Sequence, residues 1–281
     1  MVLNNHLFFL IHKPIHFLKT MSINSNHYSK NSFKKPLKLE KSLTFNSNGR
    51  VLFEGKSNID NQDIVVIITG LDNKTSNKKT GDMLQTWILL KDHAPNTSHK
   101  DGLNKSVCGN CPHAGYNNNS CYVKWFQAPL QVWKSYKNNR YDYFKKSDLN
   151  LIKGRSLRLG SAGDPTVIPL SVWQPLLDVA KNHTGYTHQW RENFAQQYKG
   201  IVQASCDSFQ DYLLASGLGF KCFYVKHKDT KVDKKLFINC PASIEAGQKT
   251  SCSICSLCSG SKKDVVINAH GSTAKYVAVE A

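Results

Sequence analysis

Cysteine is the residue whose placement in this chain carries chemistry. Seven of the nine cysteines fall into two compact groups: Cys108, Cys111 and Cys121, then Cys240, Cys252, Cys255 and Cys258. The second group reads C-x11-C-x2-C-x2-C, so its last three thiols sit within seven residues. That leaves too little chain for three independent bridges, and crowded thiolates repel one another unless a cation neutralises them. Zinc sites usually pair two separated C-x2-C hooks or mix cysteine with histidine. Closely spaced thiolates with a remote fourth, here Cys240 followed by Pro241, match a 4Fe-4S cluster better, with zinc as the alternative. The first group, C-x2-C-x9-C, offers three thiolates and leaves one coordination position open for substrate, cofactor or water. His113 is the residue that would close it instead. One cluster or two are therefore expected, with Cys206 and Cys222 as ordinary buried thiols.

Polar residues near strand ends are the other candidates. His183, Tyr186, His188 and Arg191 cluster around one strand, where alternation places Tyr186 and His188 on one face and Thr187 and Gln189 on the other. His188 is a candidate proton donor or acceptor, against the alternative of a hydrogen-bonded core histidine. Asp164, on the glycine turn Gly160-Ser-Ala-Gly163-Asp-Pro165, is a candidate contact for an amine or a ribose hydroxyl, against a turn-initiating role. His270 follows the last strand and is a third candidate catalytic residue. Asp207 reads as a helix N-cap. No P-loop, Gly-x-Ser-x-Gly elbow or Rossmann glycine pattern is present, which argues against kinase, serine-hydrolase and ordinary dehydrogenase chemistry.

The elements that must position these residues alternate. Strands are expected at 63–69, 84–91, 156–160, 186–190, 200–205, 220–225, 235–238 and 264–268, with helices at 129–145, 173–182 and 207–216. Strand-helix-strand repetition predicts an α/β fold, a partial (β/α) barrel-like parallel sheet with too few units for eightfold closure. Residues 92–124 are irregular and would be organised by a metal. Residues 1–60 read as a flexible basic lead-in and 61–281 as a single α/β domain. Residues 7–18 are too short and too interrupted to span a membrane or serve as a secretory core. Met21 reads as the true start.

The chain has 281 residues, 37 Lys and Arg against 20 Asp and Glu, and a formal charge of +17. The surplus is spread along the whole length, so it is not a detachable arm. A field of that sign favours nucleic acid or nucleotides as partners. Clustered free thiols fit a reducing cytoplasm, and no membrane association is expected.

Several strings resemble an uncharacterised cysteine-rich family encoded by bacteriophages and other mobile elements. They are Leu84-Gln-Thr-Trp-Ile-Leu, Cys108-Gly-Asn-Cys111-Pro-His, Cys121-Tyr-Val, Gln127-Ala-Pro-x-x-Val-Trp133, Arg158-Leu-Gly-x-x-Gly-Asp-Pro165, His183-Thr-Gly-Tyr-Thr-His-Gln-Trp190 and Ala269-His-Gly-Ser272. The resemblance covers roughly 81–273 and implies no established activity. In layout the chain is distantly similar to radical S-adenosylmethionine enzymes. That similarity implies a three-cysteine cluster with an open iron, a partial barrel, S-adenosylmethionine near Gly160, Gly163 and Asp164, and an auxiliary cluster. The usual C-x3-C-x2-C spacing is C-x2-C-x9-C here.

Overall fold

A computed structural model describes residues 47–73, 77–117, 120–270, 274 and 277. Ten strands form one sheet: β1 (Gly49–Lys56), β2 (Asp63–Thr69), β3 (Leu84–Leu90), β4 (Asp142–Tyr143), β5 (Ser156–Ala162), β6 (Asn182–Thr187), β7 (Gln203–Cys206), β8 (Cys222–Lys226), β9 (Ile238–Asn239) and β10 (Val265–Asn268). Their spatial order is β4-β1-β2-β3-β5-β6-β7-β8-β10-β9. β1, β2 and β3 pair antiparallel, while the pairings from β3 through β5, β6, β7, β8 and β10 to β9 are parallel. The sheet is open, ending in the two-residue strands β4 and β9. The α/β class and mainly parallel sheet follow the expectation, whereas the antiparallel β1-β2-β3 half extends the sheet away from barrel closure.

The helices are α1 (Pro95–Lys100), α2 (Lys105–Cys108), α3 (Ala128–Lys137), α4 (Leu149–Ile152), α5 (Leu170–Val179), α6 (Phe209–Gly217) and α7 (Cys252–Cys255). None among the described residues is long and apolar enough to cross a membrane. The expected helix 129–145 stops at Lys137, because Asn139 turns into positive φ (51°) and the chain re-extends into β4. The lead-in expected over 1–60 is corrected at its end: Gly49–Lys56 is a strand paired with β2. Residues 1–46 lie outside the described residues.

The run Asp63–Thr69 is apolar without alternation because both its faces are covered. Ile64, Val66 and Ile68 pack with Trp173 and Leu176 of α5, while Val65 and Ile67 pack with Val132 of α3 and with Trp125 in the turn before it. Each such fully buried side chain contributes about 1.5–3 kcal/mol. The other half of the sheet is covered differently on its two faces. Cys206, Cys222, Tyr224 and Val266 meet Tyr212 and Ala215 of α6, as the reading of Cys206 and Cys222 as buried thiols requires. Tyr186, Phe223, Val225, Val265 and Ile267 instead meet the loops that carry Cys240, Cys252 and Cys258. Cysteine-bearing loops there occupy the place a helix would fill.

Candidate metal centres and the cavity between them

The first cysteine group is shaped by backbone geometry. Cys108 ends α2, Gly109 reverses the chain at φ 55°, and Cys111 N–H returns to Cys108 O at 3.2 Å. Cys121 is brought back by its N–H donating to His113 O at 2.8 Å. The end of β6 clamps this turn, since Gln189 Nε2 donates to Cys108 O (3.0 Å) and its Oε1 accepts from Asn110 N–H (3.2 Å). Burial pushes the Cys108 thiol well up, with the neighbouring Cys111 and Cys121 charges adding to it. Burial also raises Cys121, against the backbone of Val123, the Trp125 indole and His188. Trp125 Nε1 is buried and lacks a hydrogen-bond partner among the described residues. An orphaned donor beside a buried thiol suits a sulfur that carries negative charge.

The second group is assembled from three places. Cys240 follows β9 and donates its N–H to Val266 O of β10 (2.9 Å). α7 docks through Cys252 N–H to Lys79 O (2.8 Å) and Ser253 N–H to Thr80 O (3.2 Å), with Ser156 and Asn182 donating to Ser253 O. Ser256 takes a left-handed conformation (φ 49°) that turns the chain toward Cys258, whose carbonyl accepts from Gly185 N–H at 3.2 Å. Burial raises Cys240, Cys252 and Cys258, and the thiolates of the group push one another further up. All nine cysteines are free.

The spacing of the sulfurs bears on what they could hold. Among the described residues, the one set of three His, Cys, Asp or Glu ligand atoms within 4.8 Å of one another is His113, His188 and Asp207. Neither cysteine group is drawn in that tightly. A tetrahedral zinc bound at about 2.3 Å sets its thiolates about 3.8 Å apart. A cluster seats each thiolate on a different iron and so holds them wider. The donor sets, three and four soft thiolates, fit either iron–sulfur or zinc ligation.

One cavity of about 380 Å³ runs between the two groups. Cys108, Cys111 and Cys121 of the first group and Cys252 of the second line it, together with Tyr186 and His188. Its floor is the sheet, because alternation along β5, β6, β8 and β10 sends Arg158, Thr184, Tyr186, Phe223, Val225 and Ile267 to this face. The expected shared face of Tyr186 and His188 is what the structure has.

The individual candidates divide. His188 lies in the cavity wall, and its Nε2 meets Asp207 Oδ2 at 3.1 Å. Burial works against its charge, but the Cys111 thiolate and Asp207 outweigh this and push it well up. Asp207 is not the helix cap that the sequence suggested. Ser208 caps α6 by accepting from Asp211 N–H, which frees Asp207 to hold His113 Nε2 (2.5 Å) and His188. Burial raises the Asp207 carboxyl, yet the two histidines win and hold it low. His113 therefore faces Asp207 and Ser120, not the thiols, which leaves the first group with three sulfur donors.

Asp164 lines the cavity but is spoken for. Its Oδ1 accepts from Thr166 N–H (3.0 Å) and Thr166 Oγ1 (2.8 Å), its Oδ2 from Thr187 Oγ1 (2.9 Å) and His188 N–H (2.9 Å). With four donors placed, its lone pairs are taken up within the fold, a structural role for the residue expected as a catalytic and cofactor contact. Gly163 has φ 81°, and a Cβ there would lie 2.6 Å from Ile88 O. A Cβ on Gly160 (φ 67°) would lie 2.5 Å from Gly163 O, so both glycines serve the turn's own packing. His270 lies in the cavity wall beside Lys79, and its continuation 271–273 is outside the described residues. Missed from sequence were Arg158, Lys79, Tyr122 and Asp207. For Arg158 a signal existed: it alternates with Gly160 along β5 and so shares the cavity face.

Searches against protein families, curated proteins and solved structures find no match to this chain.

Proposed function

We propose that this protein binds iron–sulfur clusters at its two cysteine groups and is an enzyme of radical S-adenosylmethionine-like type, acting on a nucleotide or nucleic-acid-related substrate. One observation carries the reading: a 380 Å³ cavity at the sheet's thiol-bearing face is lined by all three thiols of the first set and by Cys252 of the second. A volume of that size suits a small molecule. Cys108, Cys111 and Cys121 would hold a cluster whose fourth position faces the cavity, and Cys240, Cys252, Cys255 and Cys258 would hold one with every position filled. A cluster with an open iron supplies one-electron reduction to a ligand bound there. The protein's own contribution is to exclude water, to orient the ligand against Tyr186 and Phe223, and to keep a proton on His188 beside Asp207. The free thiols fit a reducing, cytoplasmic setting, and the resemblance of the sequence motifs supports an origin in a phage or mobile element.

The charge of +17 favours a second reading, a zinc-stapled nucleic-acid-binding protein without catalysis. Anaerobic purification separates the two. Under the first, the protein is brown, contains iron and sulfide, and cleaves S-adenosylmethionine when reduced. Cys108→Ser or Cys121→Ser abolishes cleavage and leaves the iron of the second site. A colourless protein with stoichiometric zinc ends the cluster reading.

A further inference from the structure

The cavity has a cationic end that nothing in the cluster reading uses. Arg158 Nη2 donates to Tyr122 OH at 2.9 Å, and the Tyr122 ring lies 6.2 Å from that of His270. His270 Nε2 meets Lys79 Nζ at 3.1 Å. These contacts chain Arg158, Tyr122, His270 and Lys79 into one patch, and all four line the cavity. Neither Arg158 nor Lys79 has a carboxylate within 4.0 Å among the described residues. Asp164 is the one carboxylate among the described lining residues, and its oxygens are already filled. Both residues are half-buried, so this end of the cavity presents two cationic side chains with no partner carboxylate among the described residues, a complement to an anion. Tyr186 and Phe223, whose ring centroids lie 4.5 Å apart at a 48° tilt, add aromatic surface to the cavity lining.

We infer that this end of the cavity anchors the oxyanion, phosphate or carboxylate, of a ring-bearing small molecule on Arg158 and Lys79. The inference rests on the reading of the cavity as the substrate site, and it deepens that reading by naming the ligand's charge. Arginine suits the task because its fork pairs both oxygens of such a group at once. Burial and the Lys79 charge hold His270 below its usual range, so a neutral ring accepts from Lys79 and orients it. The competing task for both cations is to offset the Cys252 thiolate, which lies within their electrostatic reach.

The test is equilibrium binding to anaerobically purified protein, with metal content and absorbance recorded on each sample. Adenosine 5′-monophosphate, S-adenosylmethionine and adenosine are the probes: a phosphate, a carboxylate and a nucleoside with neither. One or both charged probes should bind at least about tenfold more tightly than adenosine, as expected for charge-assisted hydrogen bonds. Which one does so distinguishes phosphate from carboxylate. Arg158→Gln should erase that preference, Arg158→Lys should keep part of it, and Lys79→Gln should weaken it, all with wild-type metal content. Equal affinity for all three probes overturns the inference. So does an Arg158→Gln protein that loses metal from the second site while its preference survives, since Arg158 would then serve the thiolates. A zinc-loaded protein that still shows the preference leaves the anion anchor standing and removes the cluster reading alone.

Discussion

Replacing Asp164 with asparagine distinguishes a carboxylate that holds the fold from one that touches a ligand. Its four donors are two backbone N–H groups, of Thr166 and His188, and two hydroxyls, of Thr166 and Thr187. The hydroxyls can rotate, but a backbone N–H can only donate. An asparagine presents one oxygen and one NH2, so whichever way it turns, one backbone N–H faces another donor inside the protein. Leaving such a group unpaired costs about 1–3 kcal/mol, and the bonds that remain lose the strength lent by charge. Together these suggest a loss of about 2–4 kcal/mol. Burial raises the carboxyl's pKa against the pull of Thr166 and His188, so part of the charge penalty is relieved on neutralisation, and the lower half of that range is the expectation. For a domain of this size 2 kcal/mol corresponds to a fall in Tm of roughly 4–8 °C. The effect should spread to the first cysteine group, because Asp164 N–H also donates to Val107 O at 2.7 Å, one residue before Cys108. Thermal denaturation and metal analysis of Asp164→Asn read both consequences: a lower Tm, and metal lost from the first site but not the second. A variant with wild-type Tm and metal content that fails only to bind adenosine 5′-monophosphate or S-adenosylmethionine would refute the structural assignment.

Gly163→Ala should lower Tm more than Gly200→Ala. Both positions have positive φ, 81° and 79°, but a Cβ at 163 meets Ile88 O at 2.6 Å while nothing lies within 4 Å at 200, so the difference reads the steric part of a cost of about 1–3 kcal/mol. Glu54 predicts an acid-dependent increment of stability. Burial pushes its carboxyl up, but hydrogen bonds from Lys91, Tyr143 and Tyr136 outweigh this and leave it below its ordinary value. The unfolded chain therefore takes the proton first, so this stability is present above the unfolded pKa and lost as pH falls through the folded one. The group is partly exposed and the increment is below about 1 kcal/mol. Urea midpoints of wild type and Glu54→Gln at about pH 6 and about pH 3 should converge at the acid end. A gap that is unchanged between the two pH values would contradict the assignment.

The sequence by itself determined the thiol sets and the strand faces. Cys252, Cys255 and Cys258 sit so close in the chain that any compact fold keeps them together, and the alternation of Tyr186 with His188 is a property of an extended backbone. The uninterrupted apolar run Asp63–Thr69 likewise announced a strand covered on both faces. Tertiary structure decided the rest, because the remaining site residues come from distant segments. Lys79, Tyr122, Arg158 and His270 meet only once β5, β10 and the loops before β3 and α3 are laid side by side. Asp207 shows the same limit within a single turn. An acid followed by serine at a helix start leaves either able to cap, and Ser208 takes that place where His113 and His188 converge on the carboxylate. Local spacing fixes neighbours along a strand or a tight loop; which segments share a cavity is set by sheet order, which no local pattern encodes.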